Sequence, residues 1–117
     1  MSTNFKQTKE FERDLKKLGK KYPSLKKDLE KFKKFMFLGD VMANKNFSVL
    51  TKENGVEIIK ARLFCRSLKR NSLRIVYAYY EESGDVEFIG VEFIELYFKG
   101  DKVREDWEGI KIYLKNV

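Results

Sequence analysis

Residues 56–99 read VEIIKARLFCRSLKRNSLRIVYAYYEESGDVEFIGVEFIELYFK. The segments Val56–Phe64 and Leu73–Tyr80 are rich in β-branched and aromatic residues, which suit a pleated surface. The basic stretch Arg66-Ser67-Leu68-Lys69-Arg70-Asn71 separates them, so the spacing predicts a β-hairpin with a connection longer than a tight turn. Ser83-Gly84 then turns the chain into a further strand region, Val86–Lys99. That region holds a near-repeat, Val86-Glu87-Phe88-Ile89 and Val91-Glu92-Phe93-Ile94, around Gly90. A repeat of five points its second copy to the other face of a regular strand, so either both faces are covered there or Gly90 marks a bulge, the second being the favoured expectation.

Alternation assigns the faces of the hairpin. Ile59, Ala61 and Leu63 share one face of the first strand, and Lys60 and Arg62 share the other. In the second strand Leu73, Ile75 and Tyr77 lie opposite Arg74. Any antiparallel register that joins the two apolar rows pairs residues whose numbers have an even sum. Arg62 and Arg74 therefore fall on one face, with Lys60 about 7 Å from Arg62 along the strand. In the last strand Ile94, Leu96 and Phe98 are expected as the core row. Glu95, Tyr97 and Lys99 then join the basic face, together with Val76, Ala78 and Phe93. Two arrangements satisfy this pattern. One is an anion-binding cluster of Lys60, Arg62, Arg74, Tyr97 and Lys99; the other is a half-solvated face with Glu95 paired to Arg74 and Tyr97 packed under the last helix.

Upstream, Phe5 lies in a short stretch that reads as an edge strand. Thr8 is placed to cap a helix carrying Phe11, Leu15 and Leu18, with Gly19 expected to end it. A second helix starts near Pro23-Ser24 and aligns Leu25, Leu29, Phe32 and Met36. The two form a helical hairpin. Residues 39–55 lack a period and read as a loop, pinned by Phe47, Val49 and Leu50. Downstream, Gly100 stops the sheet, and Asp101 is expected to cap a helix whose stripe is Val103, Trp107, Ile110 and Leu114. The expected fold class is α+β, a single domain over 1–117: a short N-terminal strand and helical hairpin packed on a small antiparallel sheet, with a C-terminal helix.

Composition narrows the chemistry. The 117 residues carry 25 Lys+Arg against 18 Asp+Glu, a formal net charge of +7. The first eighty residues hold the basic excess and the remainder is net acidic, which points to a polyanionic partner on one side. With no histidine, imidazole bases, His-containing triads and His-ligated zinc are excluded. Cys65 is the only cysteine, so no intrachain disulfide and no cysteine metal cluster can form. No metal or cofactor is expected, and Cys65 reads as a small buried hydrophobe. No apolar run approaches a membrane span, so a soluble, cytoplasmic protein is expected.

The segments EIIKARLFC, LRIVYAYYEESGD, IELYFKGDK and REDWEGIKIYLKN resemble, in order and spacing, the RelE/ParE superfamily of bacterial and archaeal toxins. The opening FKQTKEFERDLKKLGKKYPSLKKDLEKF is similar to that family's strand and helical hairpin. The resemblance implies the toxin of a type II toxin–antitoxin pair, neutralised by an antitoxin protein that covers exposed apolar and basic surface. It implies either cleavage of mRNA on the ribosome or inhibition of DNA gyrase, with an inactive antitoxin-binding member as a third possibility. In the mRNA-cutting branch it places the catalytic set on Lys60, Arg62, Arg74 and Lys99. RNA contact falls to Tyr97, Lys102, Arg66, Lys69 and Arg70. Lys60 is then expected as the base, Arg62 and Arg74 as donors to the transition state, and Tyr97 as a stacking or phosphate contact. The family's tyrosine beyond the last strand has no counterpart here; Trp107 is nearby but offset.

Overall fold

Eight elements succeed one another: β1 (Ser2–Gln7), α1 (Lys9–Lys21), α2 (Leu25–Leu38), β2 (Phe47–Glu53), β3 (Val56–Phe64), β4 (Ser72–Glu81), β5 (Phe88–Phe98) and α3 (Trp107–Lys115). The computed structural model describes residues 2–38, 47–68, 72–81, 88–102 and 104–116. The fold is α+β. Its five strands form one sheet in the order β1-β5-β4-β3-β2. The sheet is mixed rather than wholly antiparallel, because the edge strand β1 runs parallel to β5. The Ser83-Gly84 turn, Val103, Lys69 and Arg70 lie outside the described residues.

Thr8 caps α1 as expected, its hydroxyl oxygen accepting from the Phe11 N–H at 3.1 Å. Gly19 does not end this helix. The stop comes from Pro23, which forces the preceding residue out of helical geometry, and Tyr22 is extended at φ −124°, ψ 90°. In α2 the residues Leu25, Leu29 and Phe32 are buried as the periodicity predicts.

Part of the expected 39–55 loop is a strand. Residues 47–53 pair with β3 through the two-residue turn Asn54-Gly55, at φ 53° and φ 78°. Positive φ at both positions is the geometry of a type I′ hairpin, and Asn-Gly is the sequence that adopts it at least cost. A register shift between Val49 and Thr51 leaves Leu50 as an extra residue. Phe47 consequently packs on one face of the sheet and Leu50 on the other, while Val49 is exposed rather than pinned.

The bulge in β5 is at Ile94, not at Gly90. Val76 pairs with Glu95 and Tyr77 with Phe93, so Ile94 has no partner of its own on β4. Parity reverses there. Phe93 joins Tyr77 under the helical hairpin, whereas Ile94 moves to the opposite face beside Tyr97. The expected row Ile94, Leu96, Phe98 is therefore replaced by Val91, Phe93, Leu96 and Phe98. Gly90 serves a different need: a methyl group there would sit inside the Tyr80 ring, which lies across it.

Beyond Gln7, β1 no longer covers the edge of β5. The backbone groups left there are taken up by α1: Thr8 donates its hydroxyl to the Ile94 carbonyl at 3.2 Å, and Asp14 accepts from the Leu96 N–H at 3.1 Å. Burial raises the Asp14 pKa, partly offset by that backbone bond.

Both faces of the sheet are covered. The hairpin packs Phe11, Leu25 and Phe32 on Ile59, Ile75, Tyr77 and Phe93. On the other side α3 packs Ile110 and Leu114 on Ile58, Val76, Ala78 and Ile94. The cap of α3 is Asp106, not Asp101; its carboxylate accepts from the Gly109 N–H at 3.1 Å. Starting so late, the helix leaves Trp107 at its exposed first turn rather than in the buried stripe.

Candidate functional site: a basic face divided in two

The β3–β4 register places Arg62 directly opposite Arg74, and Tyr97 lies beside Arg74 on β5. The next row along the same face is Ser48, Lys60, Val76 and Glu95. A single residue pair, Ala61–Ile75, lies between the two rows, yet their electrostatics differ completely.

The Lys60 row is closed by the segment that leads into α3. Lys60 donates to Glu105 Oε2 at 3.0 Å. The buried Glu105 also accepts from Trp107 Nε1 at 3.1 Å through its other oxygen. Burial pushes the Glu105 pKa up, but its own backbone N–H, Lys60 and Trp107 outweigh that and hold it below the ordinary glutamate range. The buried Glu95 binds the Lys102 ammonium and accepts from the Asp106 N–H at 2.9 Å. Glu95 thus pairs with Lys102 and not with Arg74. These carboxylates neutralise two of the expected site lysines and fasten the start of α3 to the sheet.

Tyr97 belongs to the same closed region. Only 6% exposed, it packs with Ile110 and Leu114. Burial, and then the neighbouring Glu105 and Glu95, push its pKa up to about 12. Its ring is therefore unavailable to stack on an RNA base. Lys60 likewise departs from its expected place: its ammonium is engaged by a carboxylate instead of being crowded by arginines.

The Arg62 row opens toward the nearby end of the sheet, where β3 stops and β4 begins. Arg62, Phe64, Arg66, Ser72, Arg74 and Lys99 line an open groove of about 790 Å³, together with Cys65, Leu68 and Phe98. Arg74 Nη1 donates to the Ser72 hydroxyl at 2.8 Å and to the Ser72 carbonyl at 3.3 Å, which fixes one edge of the guanidinium. Among the described residues no carboxylate pairs with Arg62, Arg66, Arg74 or Lys99. Like charges opposed across strands cost stability unless an anion lies between them.

The groove wall at Arg66 is held from below. The buried Asp28, in the first turn of α2, accepts from the Arg66 N–H at 2.9 Å and from the Ser24 hydroxyl at 2.7 Å. Ser67 donates its N–H to Ser24 Oγ at 2.9 Å. This clasp, which the sequence reading did not single out, ties the β3–β4 connection to the helical hairpin. Cys65 is buried beside it, with Sγ 3.6 Å from Ser24 Oγ.

The structure therefore gathers Arg62, Arg74, Lys99 and Arg66 around one groove and assigns Lys60, Lys102 and Tyr97 to a neighbouring network built on the buried Glu95 and Glu105. Phe64 went unnoticed in the sequence, although strand parity places it on the same face as Arg62. Among the described residues no group of three potential metal ligands gathers, and no helix is long and apolar enough to cross a membrane. No family model, curated protein or solved structure matches the chain.

Proposed function

We propose that this protein is a RelE/ParE-like toxin that cuts mRNA on the ribosome in the cytoplasm and is held in check by an antitoxin. The observation that carries the reading is the directly opposed Arg62–Arg74 pair in an open groove, with no pairing carboxylate among the described residues. In the cleavage, a ribose 2′-oxygen attacks the adjacent phosphorus and its proton passes to water. The 5′-oxygen leaves and takes up a proton, giving a 2′,3′-cyclic phosphate and a 5′-hydroxyl end. Arg62 and Arg74 bind the non-bridging oxygens and offset the charge that develops in the transition state. Lys99 and Arg66 neutralise flanking phosphates. Lys60, engaged by Glu105, has no base role in this version. An antitoxin segment bearing carboxylates would cover the groove and supply the missing counter-charges.

One observation favours a second reading. Lys60 and Tyr97 are both occupied inside the protein, as suits a non-enzymatic inhibitor of DNA gyrase or a member that only binds its antitoxin. A cell-free translation reaction with mRNA 5′ ends mapped by primer extension separates these. The nuclease reading expects new ends within translated codons, requiring ribosomes, and a loss of about 100-fold or more in Arg74→Ala. Intact message with inhibited supercoiling by gyrase would replace it with the second reading.

A further inference from the structure

Phe64, the last residue of β3, is 66% exposed and the most exposed large hydrophobic side chain among the described residues. A single exposed phenylalanine is ordinary by itself; its surroundings are what give this one weight. It shares the sheet face of Arg62, two residues and about 7 Å away along the strand. It pairs across the ladder with Ser72, the residue that holds the Arg74 guanidinium. Ring and guanidinium groups line the same groove, whose lining combines apolar side chains with four cationic ones.

We infer that Phe64 is the stacking platform for an unpaired RNA base, making the groove a site for single-stranded RNA; this rests on the RNA reading above and assigns the role that Tyr97 cannot fill. An apolar protein surface docked on Phe64 would strand Arg62 and Arg74 without counter-charges, at a large desolvation cost. A free phosphate would leave the ring unused. A duplex keeps its base faces stacked inside and offers the ring nothing. A single strand satisfies both halves of the groove, with phosphates on the arginines and a base face on the ring.

The test is fluorescence quenching of 2-aminopurine in a short single-stranded RNA, measured free at low salt and in the A-site codon of programmed ribosomes. Wild type, Phe64→Ala, Phe64→Trp and Arg74→Ala are compared after their thermal melts are shown to match. Stacking predicts quenching by wild type and Phe64→Trp. It predicts lost quenching and about tenfold or more weaker binding for Phe64→Ala. Wild-type quenching retained in Phe64→Ala, with binding lost in Arg74→Ala, would overturn the stacking role and leave the RNA reading standing. Equal binding of a duplex of the same sequence would also overturn it. No binding by wild type to either substrate would remove both.

Discussion

Two patches of one sheet face, separated by a single residue pair along the strands, handle positive charge in opposite ways. At Lys60 and Lys102 each ammonium meets a buried carboxylate, and those carboxylates also bind backbone or indole N–H groups. At Arg62 and Arg74 two arginines stand directly opposite across the ladder, and among the described residues no carboxylate pairs with either. The first patch is internally satisfied and spends its charge on holding α3. The second is left incomplete, and an incomplete cationic patch is one that an external anion can complete. Residue type does not separate the two; the reach of Glu95 and Glu105 does.

The contrast breaks most visibly at Glu105. Replacing it with alanine is expected to cost about 3 kcal/mol, because a buried partner disappears while Lys60 and the Trp107 indole lose their acceptor. Chemical denaturation monitored by circular dichroism measures the loss; an unchanged midpoint would mean that α3 is held by its apolar face alone. Acid should reproduce the effect. The lowered pKa of Glu105 means that its stabilisation is present above the ordinary glutamate range and fades as pH falls through the lowered value. Trp107, the only tryptophan and a direct donor to Glu105, reports this by fluorescence, and Glu105→Gln should abolish the acid transition.

A smaller effect is expected at Asp14. Asp14→Ala leaves the Leu96 N–H at the β5 bulge without its acceptor, for about 1–2 kcal/mol. Hydrogen exchange should show faster opening at Leu96 than at Ile75, its partner in the ladder. The smallest change has the opposite sign. Arg62→Gln removes the cross-strand repulsion and should stabilise the protein by about 0.2–1 kcal/mol in low salt, with the gain vanishing in high salt. Destabilisation by Arg62→Gln would show that the groove is internally paired after all.

Legibility in the sequence follows the range of the information. The β3–β4 hairpin and its faces were readable because alternation is local, and Arg62 and Arg74 do share a face. The β2 strand was hidden because the extra Leu50 breaks its alternation, although Asn54-Gly55 announced a hairpin. In β5 the repeat around Gly90 drew the bulge to a glycine. The actual bulge at Ile94 is flanked by backbone groups that Thr8 and Asp14 satisfy from more than eighty residues away. The same limit applies to the site. Nothing near Lys60 in the chain reveals that Glu105, 45 residues on, will neutralise it. Parity thus put Lys60, Arg62 and Arg74 on one face, misplaced Phe93 and Ile94 across the bulge, and could not tell which cations keep their charge for a partner.

The pairing of β1 with β5 also sets when this protein can fold. The hydroxyl of Thr8 reaches the carbonyl of Ile94 across 86 positions of chain. During synthesis at about 5–20 residues per second, roughly 4–17 s separate the appearance of those two residues. Throughout that interval the helical hairpin lacks β5, whose Phe93 its Phe11 stacks on, and β1 has no neighbour to join. Loop closure on this scale makes late, slow assembly the expected course. The groove walls at Lys99 are made last, so a nascent chain would hold no finished groove until nearly all of the sheet had left the ribosome.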